Sequence, residues 1–111
     1  MNERLFARLA ERLAVAPAVL ASVIATRGAT PRKTGARMLV SALGTDFTIG
    51  GGLAEARVIA AATTLLGATT RSASVAIDLT GGADAAGVCG GRMEIALRRW
   101  DMEDRPRAAA I

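Results

Sequence analysis

Hydrophobic residues follow a helical spacing at the start of the chain and an extended pattern directly after it. Leucines recur every four positions from Leu5 to Leu13 while charged residues take the opposite face, which predicts an amphipathic helix over residues 3–14. Pro17 ends this pattern. The nearly continuous apolar run at 18–26 is typical of a strand that is buried on both faces.

Similar patterns continue through the rest of the chain. Residues 36–41 and 46–49 predict a hairpin, residues 53–66 carry the apolar stripe of a helix, and residues 72–79 and 92–98 alternate in polarity as strands do. The order helix, three strands, helix, two strands predicts an α+β fold. We expect a small mixed sheet of about five strands with two main helices packed on it.

One domain accounts for most of the chain. Its 111 residues, of which 51% are hydrophobic and 22% charged, suffice for a single modest core. We assign this domain to residues 1–99. Residues 100–111 mix charge, proline and alanine, and we predict that they form a loosely held tail.

The composition also bears on location and on the class of partner. No apolar run approaches the ~20 residues that span a bilayer, and the N-terminus lacks the apolar block of a signal peptide. We therefore expect a cytoplasmic protein without a membrane partner. The net charge of +4 comes from scattered arginines, and aromatic residues make up only 3% of the chain, so we expect no nucleic-acid partner.

The chain has one cysteine, Cys89, and no histidine. An internal disulfide, a structural zinc site and hydrolase triads that depend on histidine are therefore excluded. Cys89 lies in the glycine-rich segment Gly87–Gly91, where a thiolate could ligate a soft metal or handle sulfur. The alternative is a small buried hydrophobe or an inert thiol in a turn.

Three consecutive glycines, Gly50, Gly51 and Gly52, stand between a predicted strand and a predicted helix. Free N–H groups at a helix start favour a phosphate or another anion, and glycine lets the ligand approach the backbone. The alternative is a tight turn that requires positive φ. The motif matches neither a Walker A loop nor the dinucleotide-binding glycine spacing.

A basic loop precedes the first of these glycines. Arginine suits planar anions through its fork of donors, although a solvated basic loop would have the same composition. The cations of this loop are Arg27, Arg32, Lys33 and Arg37.

Taken together, three segments resemble the XdhC/CoxI family over about residues 18–98. They are TRGATPRKTGARMLV, then IGGGLAEARVI, then IDLTGG followed by GVCGGRMEI. Members of that family are accessory factors for molybdenum hydroxylases such as xanthine dehydrogenase and carbon monoxide dehydrogenase. The resemblance implies a protein without turnover of its own that binds the molybdenum cofactor (molybdopterin), protects it, assists its sulfuration and delivers it to an apo-enzyme.

The resemblance also implies a set of cofactor-binding residues. The glycines and arginines would hold the anion, and Cys89 would face the metal or its sulfur as a single thiol. Pro31 and Gly35 belong to the family's basic loop, and Glu94 follows its Cys-Gly-Gly segment. The implied cofactor-binding residues are Arg32, Arg37, Gly50, Gly51, Gly52, Cys89, Gly90 and Gly91.

The chain departs from the family pattern in two ways. Leu53 stands where members commonly have a cysteine, which reduces a two-thiol site to one thiol. Typical full-length members continue into a Rossmann-like domain, so we expect a short homologue or one half of a split factor. The partners implied are an apo molybdenum hydroxylase, a cysteine desulfurase and a separate Rossmann-domain subunit, and we also expect a homodimer.

Two other functions stay open from the residues. One is a small phosphate- or nucleotide-binding enzyme domain that uses the helix N-terminus at Gly50–Gly52. The other is an interaction module for a molybdoenzyme or a desulfurase that binds no cofactor.

Overall fold

Helices and strands form close to the positions that the hydrophobic pattern predicts. The computed structural model describes residues 3–28, 34–78 and 91–111. In that part of the chain the elements are α1 (Glu3–Leu13), β1 (Ala18–Arg27), β2 (Arg37–Ser41), β3 (Gly44–Phe47), α2 (Gly52–Leu66), β4 (Ser72–Asp78), β5 (Arg92–Trp100), a short 3-10 helix (Met102–Asp104) and α3 (Arg105–Ala109).

The five strands form one sheet in the order β3-β2-β1-β5-β4. The α+β class, the number of strands and the two main helices are confirmed, but every pairing between the described strands is antiparallel, where we expected a mixed sheet. The physical reason is the position of β4. β3 and β4 run in the same direction, as strands joined by a crossover helix do. Three strands lie between them, so no parallel ladder forms.

One face of the sheet is covered by α2. Val58, Ala62 and Leu65 of this helix are buried against the inward side chains of the strands, among them Met93 and Ile95. Among the described residues, this cluster is the larger of two hydrophobic cores. Each methylene group buried in this cluster stabilises the fold by roughly 0.8 kcal/mol.

The opposite face of the sheet is covered by α1 over part of its area. Leu5, Leu9 and Leu13 pack there with Leu20 and Leu39. Arg12 of α1 also donates two hydrogen bonds to Asp46 of β3, from Nε at 2.8 Å and from Nη2 at 3.0 Å. This paired contact fixes the helix over the β2–β3 hairpin.

Residues 100–111 pack against α1, which differs from the loosely held tail that we expected. Trp100 is 8% exposed and Ala108 is 1% exposed, and both belong to the α1 core. The Phe6 and Trp100 rings meet edge to face with centroids 5.9 Å apart, and the Arg107 guanidinium lies 4.6 Å from the Trp100 ring centroid. The five residues of α3 are too few to show a helical period in the sequence. Its burial results from contact with α1, at the opposite end of the chain.

In the described part of the chain, no helix is long and apolar enough to cross a membrane.

Candidate functional site

One end of the sheet collects the three segments that the sequence singles out. At this end β1 finishes with Arg27, β4 finishes with Asp78, and β5 begins with Arg92, which lies in register with both. β2 begins at the same end, and Phe47 at the end of β3 is paired with Met38. The basic loop, the Gly50–Gly52 turn and the segment before β5 therefore all connect to this end, which we call the motif end.

A β-bulge in β1 decides which face Arg27 occupies. The register between β1 and β5 shifts between Val23 and Ala25, which leaves Ile24 as the extra residue. Beyond the bulge Thr26 pairs with Met93 of the α2 core, whereas Arg27 belongs to the face away from α2. Without the extra residue, strict alternation from Val23 would give the reverse assignment. Bulges commonly re-aim side chains beside functional sites in this way.

Six residues on the face away from α2 form two rows across β5 and its neighbours β1 and β4. Residues paired in register on antiparallel strands share a face, and their Cβ atoms lie about 5 Å apart. The first row is Ala25, Glu94 and Ala76, and the second is Arg27, Arg92 and Asp78.

A cavity of about 300 Å³ is lined by five of these six residues, all except Asp78. Its volume is at the lower limit of typical small-molecule sites, about 300 Å³ and above. The alanines on both sides of Glu94 leave space above the sheet, because a methyl group is the only side chain there. The cavity is lined by Ala25, Thr26, Arg27, Ala76, Arg92, Met93 and Glu94.

The charges at this cavity are unusual for neighbouring strands. Arg27 and Arg92 are directly opposite each other, and like charges in that position destabilise a sheet. Asp78 flanks Arg92 on its other side. Glu94 is exposed one row away and adds a carboxylate to the same cavity. The site thus offers two guanidinium groups for an anion and one carboxylate for a donor.

The Gly50–Gly52 turn adopts the backbone that only glycine takes readily. The φ angles of Gly50, Gly51 and Gly52 are 125°, 80° and 63°. A Cβ added at Gly51 or Gly52 would meet no heavy atom within 4 Å, so φ rather than crowding requires glycine at these two positions. The positive φ that we considered for this turn is confirmed.

The carboxylate of Glu55 satisfies part of the same turn from within the chain. Its Oε2 accepts hydrogen bonds from the N–H of Gly51 at 2.8 Å, from the N–H of Ile49 at 3.2 Å and from the Thr48 hydroxyl. The Gly50 N–H donates to Thr48 Oγ1 at 2.9 Å. Several donors that an anion would need at this turn therefore already have an internal acceptor.

These contacts also set the ionisation of Glu55. Partial burial raises its pKa, but the hydrogen bonds from Thr48 and from the backbone N–H groups outweigh the burial and hold the pKa below its ordinary value. Glu55 is consequently ionised at neutral pH. It competes with any external anion for the start of α2.

The predicted site residues fall into four groups. Arg32, Cys89 and Gly90, together with Pro31, lie outside the described residues. Arg37 begins β2 in register with Ser22, which puts it on the face of the cavity, and it is half-buried. Gly91 is buried directly before Arg92. Gly50–Gly52 belong to the same end of the sheet but lead into α2, on the opposite face.

Three residues line the cavity although the sequence did not predict this position for them: Arg27, Arg92 and Glu94. Arg27 is only one of four cations in the basic loop, and Arg92 and Glu94 look like the polar face of an alternating strand. The alternation of Arg92 and Glu94 does give one signal, since both point to the same face of β5. Their pairing with Arg27 depends on the bulge, which leaves no mark in the sequence.

Comparisons with known proteins point to one family. The model of the XdhC and CoxI family matches residues 12–78, which is more than half of the chain. The matched range contains the basic loop and the Gly50–Gly52 turn and ends before Cys89. A comparison with curated proteins gave no match.

A solved structure is similar over almost the whole chain. A crystal structure described as a xanthine dehydrogenase from Bacillus halodurans superposes with a TM-score of 0.80 at 25% sequence identity. The alignment covers 96% of this chain and 33% of the other. The chain therefore spans about a third of the length of that protein.

Proposed function

The chain belongs to the XdhC and CoxI family, and we propose that it is an accessory factor that binds the molybdenum cofactor for a molybdenum hydroxylase of the xanthine dehydrogenase class. The observation that carries the proposal is the convergence at the motif end. Three segments that are far apart in the sequence connect to one end of one sheet, next to a cavity with two arginines.

The described residues fit the anionic part of this cofactor. Its phosphate would lie against Arg27 and Arg92, which face each other without an intervening acid and gain most from a bound anion. Arg37 adds a third guanidinium on the same face. A pterin ring is flat and rich in hydrogen-bonding edges, which suits a cavity lined by alanines and one carboxylate.

The described residues provide no cysteine thiolate for the metal. Among residues 3–28, 34–78 and 91–111, no group of three or more His, Cys, Asp or Glu could hold a metal ion. The bound group would bring molybdenum on its own dithiolene sulfurs. Cys89 is the one thiol that the chain could add, since Leu53 replaces the second cysteine and is packed against the α2 core.

Because the arginines and Cys89 would have different roles, substitutions should impair cofactor binding and sulfur chemistry separately. The arginines would hold the cofactor and prevent its premature release. Cys89 would protect the metal or its sulfur. An apo molybdenum hydroxylase is the proposed recipient. A cysteine desulfurase, a Rossmann-domain subunit and a second copy of the chain stay proposals of the same kind.

The test is cofactor binding by the purified protein. When the wild-type chain is co-expressed with the cofactor pathway, the purified protein should contain molybdenum and pterin in about equal amounts. The pterin is measured by its fluorescence after oxidation. The double variant Arg27→Gln/Arg92→Gln should lose both signals, and Cys89→Ser should retain the pterin while losing the ability to activate an apo-hydroxylase. Arg57→Gln, an exposed cation on α2, is the matched control.

The absence of molybdenum and pterin from the wild-type protein would contradict the proposal. So would equal cofactor content in the double variant and in Arg57→Gln. Binding of a molybdoenzyme without any pterin would instead favour the interaction module. The phosphate-binding enzyme domain is less well supported, because Glu55 and Thr48 already accept from the turn that it would use.

A further inference from the structure

The cavity at the motif end contains a carboxylate that phosphate binding does not explain. Glu94 lies in the row next to Arg27 and Arg92 and lines the same cavity. An acid beside a phosphate site weakens binding of the phosphate through like-charge repulsion. A cavity that served inorganic anions alone would be better without it.

The neighbours of Glu94 leave its carboxylate accessible. Ala25 and Ala76 flank it on the two adjacent strands, so a flat group can lie over the row. Glu94 itself is exposed. A planar ligand on this floor would meet the carboxylate with its edge, while a phosphate attached to it could reach the Arg27–Arg92 row.

We infer that Glu94 recognises the paired N–H donors of a 2-amino-4-oxopyrimidine ring, while Arg27 and Arg92 hold the attached phosphate. This edge presents a ring N–H and an amino group side by side, and a carboxylate accepts from both at once. Pterins and guanine share the edge. The inference rests on the proposed function, to which it adds a residue that selects the ring.

The test compares phosphate compounds that carry this edge with phosphate compounds that lack it. The probes are neopterin monophosphate, GMP, AMP and inorganic phosphate, each titrated by calorimetry into the full chain. AMP turns a ring acceptor toward the carboxylate in place of the two donors, and a bidentate contact discriminates by roughly 10-fold or more. We expect neopterin monophosphate and GMP to bind at least about 10-fold more tightly than AMP.

Glu94→Gln is the decisive variant. It keeps the size of the side chain but replaces one acceptor with a donor, so the preference over AMP should shrink to about 3-fold or less, while inorganic phosphate should bind more tightly. Arg27→Gln should weaken all phosphorylated probes by a similar factor. Arg98→Gln, exposed on the same strand, and Glu11→Gln, exposed on α1, are the charge-matched controls.

The ring preference of the wild type decides between the sources of the ligand. A preference for neopterin monophosphate over GMP assigns the site to a pterin, and the reverse assigns it to a guanine nucleotide. Equal affinity for GMP and AMP, or an unchanged preference in Glu94→Gln, would overturn the inference. Cofactor loading that is insensitive to Glu94→Gln would leave the proposed function intact, whereas ring recognition without cofactor loading would overturn only the proposed function.

Discussion

Arg27 and Arg92 face each other across β1 and β5 on the side of the sheet away from α2. The pairing is electrostatically unfavourable in the free protein and favourable once an anion lies between the two guanidinium groups. It therefore links ligand binding to stability.

Arg27→Gln should raise the free energy of unfolding of the ligand-free protein by about 0.5 kcal/mol at low salt. The change removes the repulsion and keeps Arg92 beside Asp78. Urea denaturation at low and high salt measures it, and the gain should shrink in high salt because the charges are screened. Added phosphate should stabilise the wild type more than the variant. A loss of stability in Arg27→Gln that exceeds the effect of Arg57→Gln would contradict this interpretation.

The side chain of Arg99 closes the C-terminal end of α2. Its Nη1 donates to the carbonyl oxygens of Leu65 and Thr70, each at 3.1 Å, and to that of Ala68, while Nε donates to Asp101 at 3.0 Å. Only 12% of the side chain is exposed. Lysine cannot reproduce this planar fork, which is pre-organised for several acceptors at once.

Arg99→Lys should therefore lower the free energy of unfolding by roughly 2 kcal/mol, since it breaks hydrogen bonds that involve a charged donor. Thermal or urea unfolding measures the effect. Arg98→Lys, at the exposed neighbouring position, should change stability by less than about 0.5 kcal/mol. Similar losses in the two variants would show that the cap contributes little.

Glu55 should make stability depend on pH in the acidic range. Its pKa is lowered in the folded protein from an ordinary value of 4.5, so its ionised form stabilises the fold at neutral pH. That contribution is present above pH 4.5 and is lost as the pH falls through the lower folded pKa. Asp46, whose pKa is lowered first by the hydrogen bond from Arg12, contributes in the same direction from its ordinary value of 3.8.

Glu55→Gln should cost about 1 kcal/mol at pH 7 and should reduce the loss of stability between neutral pH and pH 3. Denaturant unfolding at several pH values measures both effects. Asp46→Asn is the comparison, because it should remove the part of the acid dependence that comes from the Arg12 contact. An acid dependence that is unchanged in both variants would mean that other carboxylates dominate it.

The packing of residues 100–111 can be tested with two adjacent alanines. Ala108 is buried against α1 and Trp100, whereas Ala109 on the same short helix is exposed. Ala108→Asp should destabilise the protein by about 2 kcal/mol or more, because it buries a carboxylate without a partner. Ala109→Asp should have little effect. Equal stability of the two variants would contradict the packing of residues 100–111 and support the loosely held tail that the composition predicts.

The hydrophobic pattern was sufficient to predict α1, α2 and the five strands. Leucine spacing predicted α1, alternation predicted β4 and β5, and three glycines marked the turn before α2, where φ is positive. These features depend on neighbours within a few residues, so local chemistry determines them. The burial of Ala108 was not predicted, because the five residues of α3 are too few to show a helical period.

The sequence by itself thus determined the α+β composition and the motifs that identify the family. It did not determine that the sheet is antiparallel throughout, that Glu55 occupies the glycine turn, or that Arg27 belongs with Arg92 and Glu94. Those facts depend on contacts between residues far apart in the chain and on one extra residue, Ile24, that reverses the faces of β1. Only the tertiary structure could decide them, because strand pairing, rather than alternation along one strand, selects which side chains share a face.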